Sequence, residues 1–269
     1  MKKVSIYIAC HKKFNLPQEK YYIPIQVGRK ISNFKLDMIG DDDNGISEKN
    51  KNYCELTALY WIWKNDNQSD YVGLCHYRRY FDLSNKKIDE LFKDGTDVIF
   101  TSPKYHIQSV QCTALKYVCG EDWAIFHNVL KRLYPEYEQS FIDVMTGTKS
   151  YEYNMFICSK PMFNSYCEWL FNLLFECEKY IKISNYSRAA RVFGYLAEYC
   201  MYVYFLKNKC KIKTTRLLDY DGCVYKVEKE SIVRKVFTKC IDISHIYKGK
   251  LKLYDSAHIL GLKADNIIN

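Results

Sequence analysis

Tyr71-Val72-Gly73-Leu74-Cys75-His76-Tyr77-Arg78-Arg79-Tyr80-Phe81 is an apolar run that stops abruptly at a histidine, a tyrosine and two arginines. A short apolar run bounded by polar residues reads as a buried strand. The N-terminal run Val4-Ser5-Ile6-Tyr7-Ile8-Ala9-Cys10 has the same form and runs into His11-Lys12-Lys13. Further strands are expected at Tyr21–Val27 (interrupted by Pro24), Asp97–Thr101 and Tyr153–Cys158. Between them lie helical patterns. Tyr53, Leu56, Tyr60 and Trp63 recur at spacings of three and four, which makes one apolar stripe. Asn52, three residues before Glu55, has the form of a capping box. Helices are also expected at Lys86–Phe92, at Glu121–Leu133, after Pro161, where a first helical turn tolerates proline, and at Arg188–Leu206. Such alternation predicts an α/β domain with a mainly parallel central sheet and helices on both faces. Beyond Asp219 the pattern weakens to short strands and a last amphipathic stretch, so the expected division is a main domain at 1–218 and a small C-terminal appendage at 219–269.

Composition narrows the partners. Hydrophobic residues are 48% and charged residues 26% of the 269, the balance of a folded chain rather than a disordered one. The 25 tyrosines suit core edges and sugar-binding clefts alike, because each buries a ring and keeps a polar tip. The twelve cysteines form no C-x-x-C pair, so a zinc ribbon or thioredoxin-like site has no support. Cys10, Cys54, Cys75, Cys158, Cys167 and Cys200 lie in apolar runs, where the thiol behaves as a small hydrophobe. No signal peptide is expected, since only seven residues separate Met1-Lys2-Lys3 from His11. No run reaches the ~18 apolar residues of a membrane span. A reducing cytoplasm is the consistent address. The net charge of +9 favours an anionic partner. Its cations are scattered among acids, which excludes a dedicated nucleic-acid binder. Residues 226–269 carry nine Lys/Arg against five Asp/Glu, an excess that suits either a peripheral contact with the inner face of the cell membrane or a solvated basic face.

Ligands of open α/β sheets bind outside the carboxyl ends of the strands. That rule selects His11, Lys12, His76, Tyr77, Arg78 and Arg79. A planar guanidinium meets phosphate oxygens through two parallel hydrogen bonds and stabilises a diphosphate leaving group. The competing reading of paired arginines after a strand is an ion pair with a neighbouring carboxylate. Asp41-Asp42-Asp43, within Gly40–Gly45, can hold Mg or Mn through hard oxygen ligands or serve as a polar turn.

Ile46–Lys64 (ISEKNKNYCELTALYWIWK) and Gly73–Phe81 closely resemble a family of domain-of-unknown-function glycosyltransferases from capsular and exopolysaccharide clusters. The similarity continues more weakly through Tyr134–Tyr137, Asn154–Ile157, Tyr166–Phe171 and Arg191–Gly194, covering about residues 3–206. The resemblance implies a GT-A-like (Rossmann-like) nucleotide-sugar transferase, with galactofuranosyl transfer among its activities. In related GT-A enzymes an acidic metal-binding triplet follows the corresponding strand. Here His76-Tyr77-Arg78 fills that place, which implies metal-independent phosphate binding.

The chain departs from the family pattern at Tyr151–Asn154 and Glu198–Cys200, and between Lys104 and Asp122 only His106 remains of several expected histidines. These changes fall in what would be the acceptor half. An inverting transferase needs a base for the acceptor hydroxyl. Glu121 and Asp122 are candidates, although acids in a first helical turn also complement the dipole. Glu198 is the third, unless it pairs with Arg191. Glu55, Asn154 and Arg191 are candidate donor contacts, with cap, turn and ion-pair roles as their respective alternatives. Trp61, Trp63 and Trp169 read as core. The expected activity is hexosyl transfer from a UDP-sugar to a lipid-linked or polysaccharide acceptor of a capsule, exopolysaccharide or lipopolysaccharide. The alternative is a non-catalytic nucleotide-sugar or carbohydrate-binding module of the same fold.

Overall fold

Ile6, Ile8 and Cys10 of the first strand, Val4–Cys10 (β1), are fully buried, and so nearly are Ser5, Tyr7 and Ala9 between them. Because successive strand side chains point to opposite faces, burial on both means that both faces of the sheet are covered. In this computed structural model, which describes residues 2–83, 88–227, 236, 240 and 249–268, the chain divides into two compact units. One comprises residues 1–103, 151–168 and 209–229; the other comprises 104–150, 169–208 and 230–269. The expected boundary at 218/219 falls inside a strand of the first unit, and most of residues 226–248 lies outside the described residues.

The first unit is the sheet. Its strands are β1, β2 (Tyr22–Gln26), β3 (Ile39–Gly40), β4 (Tyr71–His76), β5 (Arg79–Phe81), β6 (Val98–Thr101), β9 (Phe156–Ser159), β10 (Ile212–Thr215), β11 (Leu217–Tyr220) and β12 (Tyr225–Val227). The main path runs β10-β6-β9-β4-β1-β2-β3. On it β9 alone is reversed, pairing antiparallel with β4 and β6, while β1 pairs parallel with β2 and β4. The mainly parallel α/β sheet expected from the sequence is therefore present. Pro24 is tolerated because β3 pairs only with Ile25 and Gln26, so the missing N–H costs no bond to that neighbour. Gly73 is required where β4 meets β9: a Cβ there would sit 2.9 Å from the Phe156 carbonyl oxygen.

One face of β1 and β4 packs Ile6, Ile8, Cys10, Tyr71 and Cys75 into a cluster with Tyr80, Phe81, Ile99 and Ile157. On the other face, Tyr7 meets Trp61 edge-on at 6.2 Å, and its hydroxyl donates to Asp66 at 3.2 Å. Trp61 lies on α2 (Leu56–Asn65), which follows a single turn, α1 (Asn50–Tyr53). The expected continuous helix is thus broken at Cys54, whose φ of 52° and ψ of −129° leave helical space. No capping box forms, since α2 starts without a side-chain cap and Glu55 turns to another partner described below. The buried stripe is Leu56, Leu59 and Ile62, so Tyr60 and Trp63 are half-buried flanks, and Trp61 is likewise only half-buried. The helix expected from Lys86 is the single turn Ile88–Leu91 (α3), and residues 84–87 lie outside the described residues.

The second unit is mostly helical. It contains β7 (Lys104–Tyr105) paired with β8 (Lys149–Ser150), α4 (Val110–Ala114), α5 (Gly120–Leu133), α6 (Glu138–Thr146), α8 (Val192–Lys207) and α9 (Ser256–Ala264). The helix α7 (Lys160–Glu178) begins in the first unit and ends in the second. Trp123 is fully buried against Phe126 and Phe141, and Trp169 stacks on Tyr137 at 4.8 Å. Among the described residues no helix is long and apolar enough to cross a membrane.

The twelve cysteines are all free thiols, with Cys10, Cys75, Cys158, Cys167, Cys177 and Cys200 buried and Cys54 half-buried. Burial pushes the Cys10 thiol up to about 12, which suppresses its nucleophilic thiolate. Brief iodoacetamide treatment of the native protein near pH 8 is therefore expected to label exposed Cys112, Cys223 and Cys240 and leave Cys10 unmodified. Peptide mass spectrometry reads the pattern, and rapid labelling of Cys10 would contradict the packing.

Candidate functional site

Because β1 and β4 are parallel neighbours in register, with Ala9 opposite His76, their carboxyl ends open side by side. The chain leaves β1 for β2 on one side and later returns to β4 on the other. That reversal is a topological switch point, where open sheets form a crevice. His11-Lys12-Lys13 and Tyr77-Arg78 are the two rims of this crevice. The sequence predicted each rim separately; the register makes them one place.

Tyr77 is the floor. Its ring is buried, with His11 edge-on at 5.0 Å and Phe14 edge-on at 5.0 Å. The Lys12 ammonium stands 5.6 Å from the ring centre and the Arg78 guanidinium 5.2 Å, cation–π distances that hold both charges over the ring. His76 and Arg79 pair across the tight β4–β5 turn. Arg79 lies over the ring of Tyr153 at 4.2 Å. Among the described residues, no carboxylate forms an ion pair with Lys12, Arg78 or Arg79; the exposed pairs of the first unit involve other cations. The competing ion-pair reading of the two arginines is therefore absent from the geometry.

Tyr153 and Asn154 do not begin the strand, as the sequence pattern predicted; β9 starts at Phe156. Both residues have positive φ, 71° and 51°, a conformation that asparagine tolerates and tyrosine rarely adopts. Strain of this kind is retained when surrounding contacts fix it. Here the Tyr153 carbonyl accepts a hydrogen bond at 2.8 Å from His76 Nε2. A carbonyl cannot donate, so Nε2 carries a proton and is the donor of this bond. Asn154 Nδ2 donates to Glu55 Oε1 at 2.7 Å, and both side chains are buried. Glu55 follows the positive-φ residue Cys54. Two strained segments, 54–55 and 153–154, are thus tied together beside His76 and Arg79. Phe14 and Tyr153 went unrecognised in the sequence. Their signals were adjacency to His11-Lys12-Lys13 and to Asn154.

Asp41 is fully buried and accepts from the backbone N–H of Gly28 (2.8 Å), the N–H of Arg29 (3.1 Å) and the Ser47 hydroxyl (2.5 Å). Its carboxylate pins a loop. Asp42 faces Arg29 Nε at 3.8 Å. Among the described residues no group of three or more His, Cys, Asp or Glu is placed to hold a metal ion.

The remaining candidates belong to the second unit. Glu121 and Asp122 occupy the first turn of α5. Glu121 is 3.9 Å from His258 Nε2. Burial, joined by the Glu121 charge, raises the Asp122 carboxyl above its ordinary range, against a lowering hydrogen bond with Cys119. Glu198 is half-buried on α8, and exposed Arg191 lies 5.5 Å from the ring of Tyr195.

The sheet order and its switch point define an open α/β domain. Residues 5–209 match the family described as a domain of unknown function (DUF4422), and the chain belongs to that family. It is also similar to a solved structure, the apo form of the WbbM bifunctional glycosyltransferase, at 27% identity and a TM-score of 0.75. That match covers 86% of this chain and 47% of the other, so the chain spans about half the length of that protein. No curated protein matches.

Proposed function

We propose that this chain is a glycosyltransferase that moves a hexosyl group, galactofuranosyl among the candidates, from a UDP-sugar to a lipid-linked or polysaccharide acceptor at the cytoplasmic face of the membrane. The observation that carries the reading is the cationic crevice, in which Lys12, Arg78 and Arg79 stand over aromatic rings without carboxylate partners among the described residues. The likeness to a solved glycosyltransferase supports the reaction class. In this reading the diphosphate lies across the ends of β1 and β4, where Arg78 and Arg79 neutralise the charge that grows as the glycosidic bond breaks. The Glu55–Asn154 pair meets the sugar hydroxyls. An acceptor hydroxyl attacks the anomeric carbon, its proton passes to a carboxylate, and UDP departs. Glu121, Asp122 and Glu198 are the candidate bases, and Arg191 is a further donor contact.

Calorimetric titration with UDP and a panel of UDP-hexoses tests donor binding, and product analysis with polysaccharide fragments tests turnover. Donor affinity is expected to be unchanged by EDTA, because the phosphate charge is met by side-chain cations. A loss of affinity on chelation, restored by Mn, would overturn that part of the reading. Binding without turnover on an authentic acceptor would assign the chain to the non-catalytic alternative.

A further inference from the structure

Two segments of the second unit contain no aspartate or glutamate. One spans residues 104–120, the other residues 179–197. The second carries Lys179, Lys182, Arg188 and Arg191, of which Lys179 is paired with Glu176. The segments meet through a ladder of rings and guanidinium groups. Arg188 lies over Tyr117 at 4.8 Å, Tyr117 is 5.0 Å from Tyr195, and Arg191 lies over Tyr195. Beside this ladder stand apolar side chains left in solvent: Tyr186 is 82% exposed, Ile183 42% and Leu115 41%. The loop that carries Ile183 and Tyr186 is short and locally braced, with the Tyr186 N–H donating to Ser184 Oγ and the Tyr186 carbonyl accepting from Ala190 N–H.

A solvent-exposed tyrosine, exposed aliphatic side chains and several cations in a segment without acids suit one environment. Aromatic rings settle at the headgroup level of a bilayer, aliphatic tips enter its acyl boundary, and lysine and arginine meet anionic headgroups. A water-facing protein surface gains nothing from this combination. We infer that the surface formed by Leu115–Tyr117 and Lys182–Arg188 docks the protein on an anionic lipid bilayer. This assigns the membrane contact to the α7–α8 connection rather than to the basic C-terminal stretch. It stands independently of the donor site.

The test is co-sedimentation of the full chain with vesicles of phosphatidylcholine, with and without phosphatidylglycerol. Wild type is expected to bind the anionic vesicles and to be released by salt. The Ile183→Ser/Tyr186→Ser variant is expected to lose at least tenfold in partitioning. Lys182→Gln and Arg188→Gln are expected to lose about fivefold each, the usual contribution of a surface cation near an anionic leaflet. These positions are exposed, so circular dichroism and donor titration serve as folding controls. Three results would overturn the inference: equal partitioning to neutral and anionic vesicles, wild-type partitioning by the Ile183→Ser/Tyr186→Ser variant, or binding of these residues to single-stranded RNA in place of lipid. A protein that bound vesicles but no UDP-sugar would keep this surface and lose the donor reading.

Discussion

Alanine at both Arg78 and Arg79 is expected to raise the dissociation constant for a UDP-sugar by about two to four orders of magnitude, with little change in melting temperature. A hydrogen bond to a charged partner contributes roughly 1.5–3 kcal/mol, and each guanidinium that meets the diphosphate forms at least one. Every 1.4 kcal/mol is about a factor of ten, so losing both places the effect in that range. Stability is spared because Arg78 is exposed and neither residue holds an ion pair among the described residues; the stack on Tyr153 contributes about 0.5–1 kcal/mol at such a site. Arg79→Lys sharpens the test, since it keeps the charge but loses the planar fork and part of the stack. It is expected to recover only part of the affinity. Calorimetry that found the double variant binding like wild type would remove the diphosphate from this crevice.

The parts of this molecule that were legible in its sequence are those with period and polarity. The runs Val4–Cys10 and Tyr71–Cys75 announce themselves because strands buried on both faces are continuously apolar, and cations immediately after them mark strand ends. What the sequence withheld is the pairing. Nothing local states that β4 returns to the far side of β1, which is what turns His11 and Tyr77 into neighbours. Backbone strain was equally invisible. Cys54, Tyr153 and Asn154 adopt positive φ although two of the three residue types disfavour it, so local propensity argued for continuous helix and strand. Tertiary contacts override it: Glu55 forgoes a capping role to accept from Asn154, and the Tyr153 carbonyl is held by His76. The aspartate triplet was open to two readings, metal ligand or polar turn, for a related reason. Consecutive carboxylates look like metal ligands in one dimension, but Asp41 spends its oxygens on Gly28, Arg29 and Ser47.

Asn154→Ala is the substitution expected to cost most in stability, about 2–4 kcal/mol. Two causes add. The buried Glu55 side chain loses a donor at 2.7 Å, and leaving a buried acceptor unsatisfied costs roughly 1–3 kcal/mol. Alanine must also hold a φ of 51°, a left-handed conformation that costs about 1 kcal/mol more than for asparagine. At this chain length each kcal/mol moves the midpoint by about 2–4 °C, so thermal unfolding is expected to shift down by roughly 4–16 °C. Asn154→Gly separates the causes: it relieves the backbone, keeps the hydrogen-bond loss, and is expected to fall between wild type and alanine. Glu55→Gln separates packing from chemistry, because its amide oxygen still accepts from Asn154 while the charge is gone. If Glu55 only braces the strained turn, Glu55→Gln keeps both stability and donor affinity. If the carboxylate also grips a sugar hydroxyl, the variant melts near wild type yet binds UDP-sugar about tenfold more weakly, with affinity for UDP itself unchanged. An Asn154→Ala protein that melted within a degree of wild type would show that the two strained segments are held by something other than this bond.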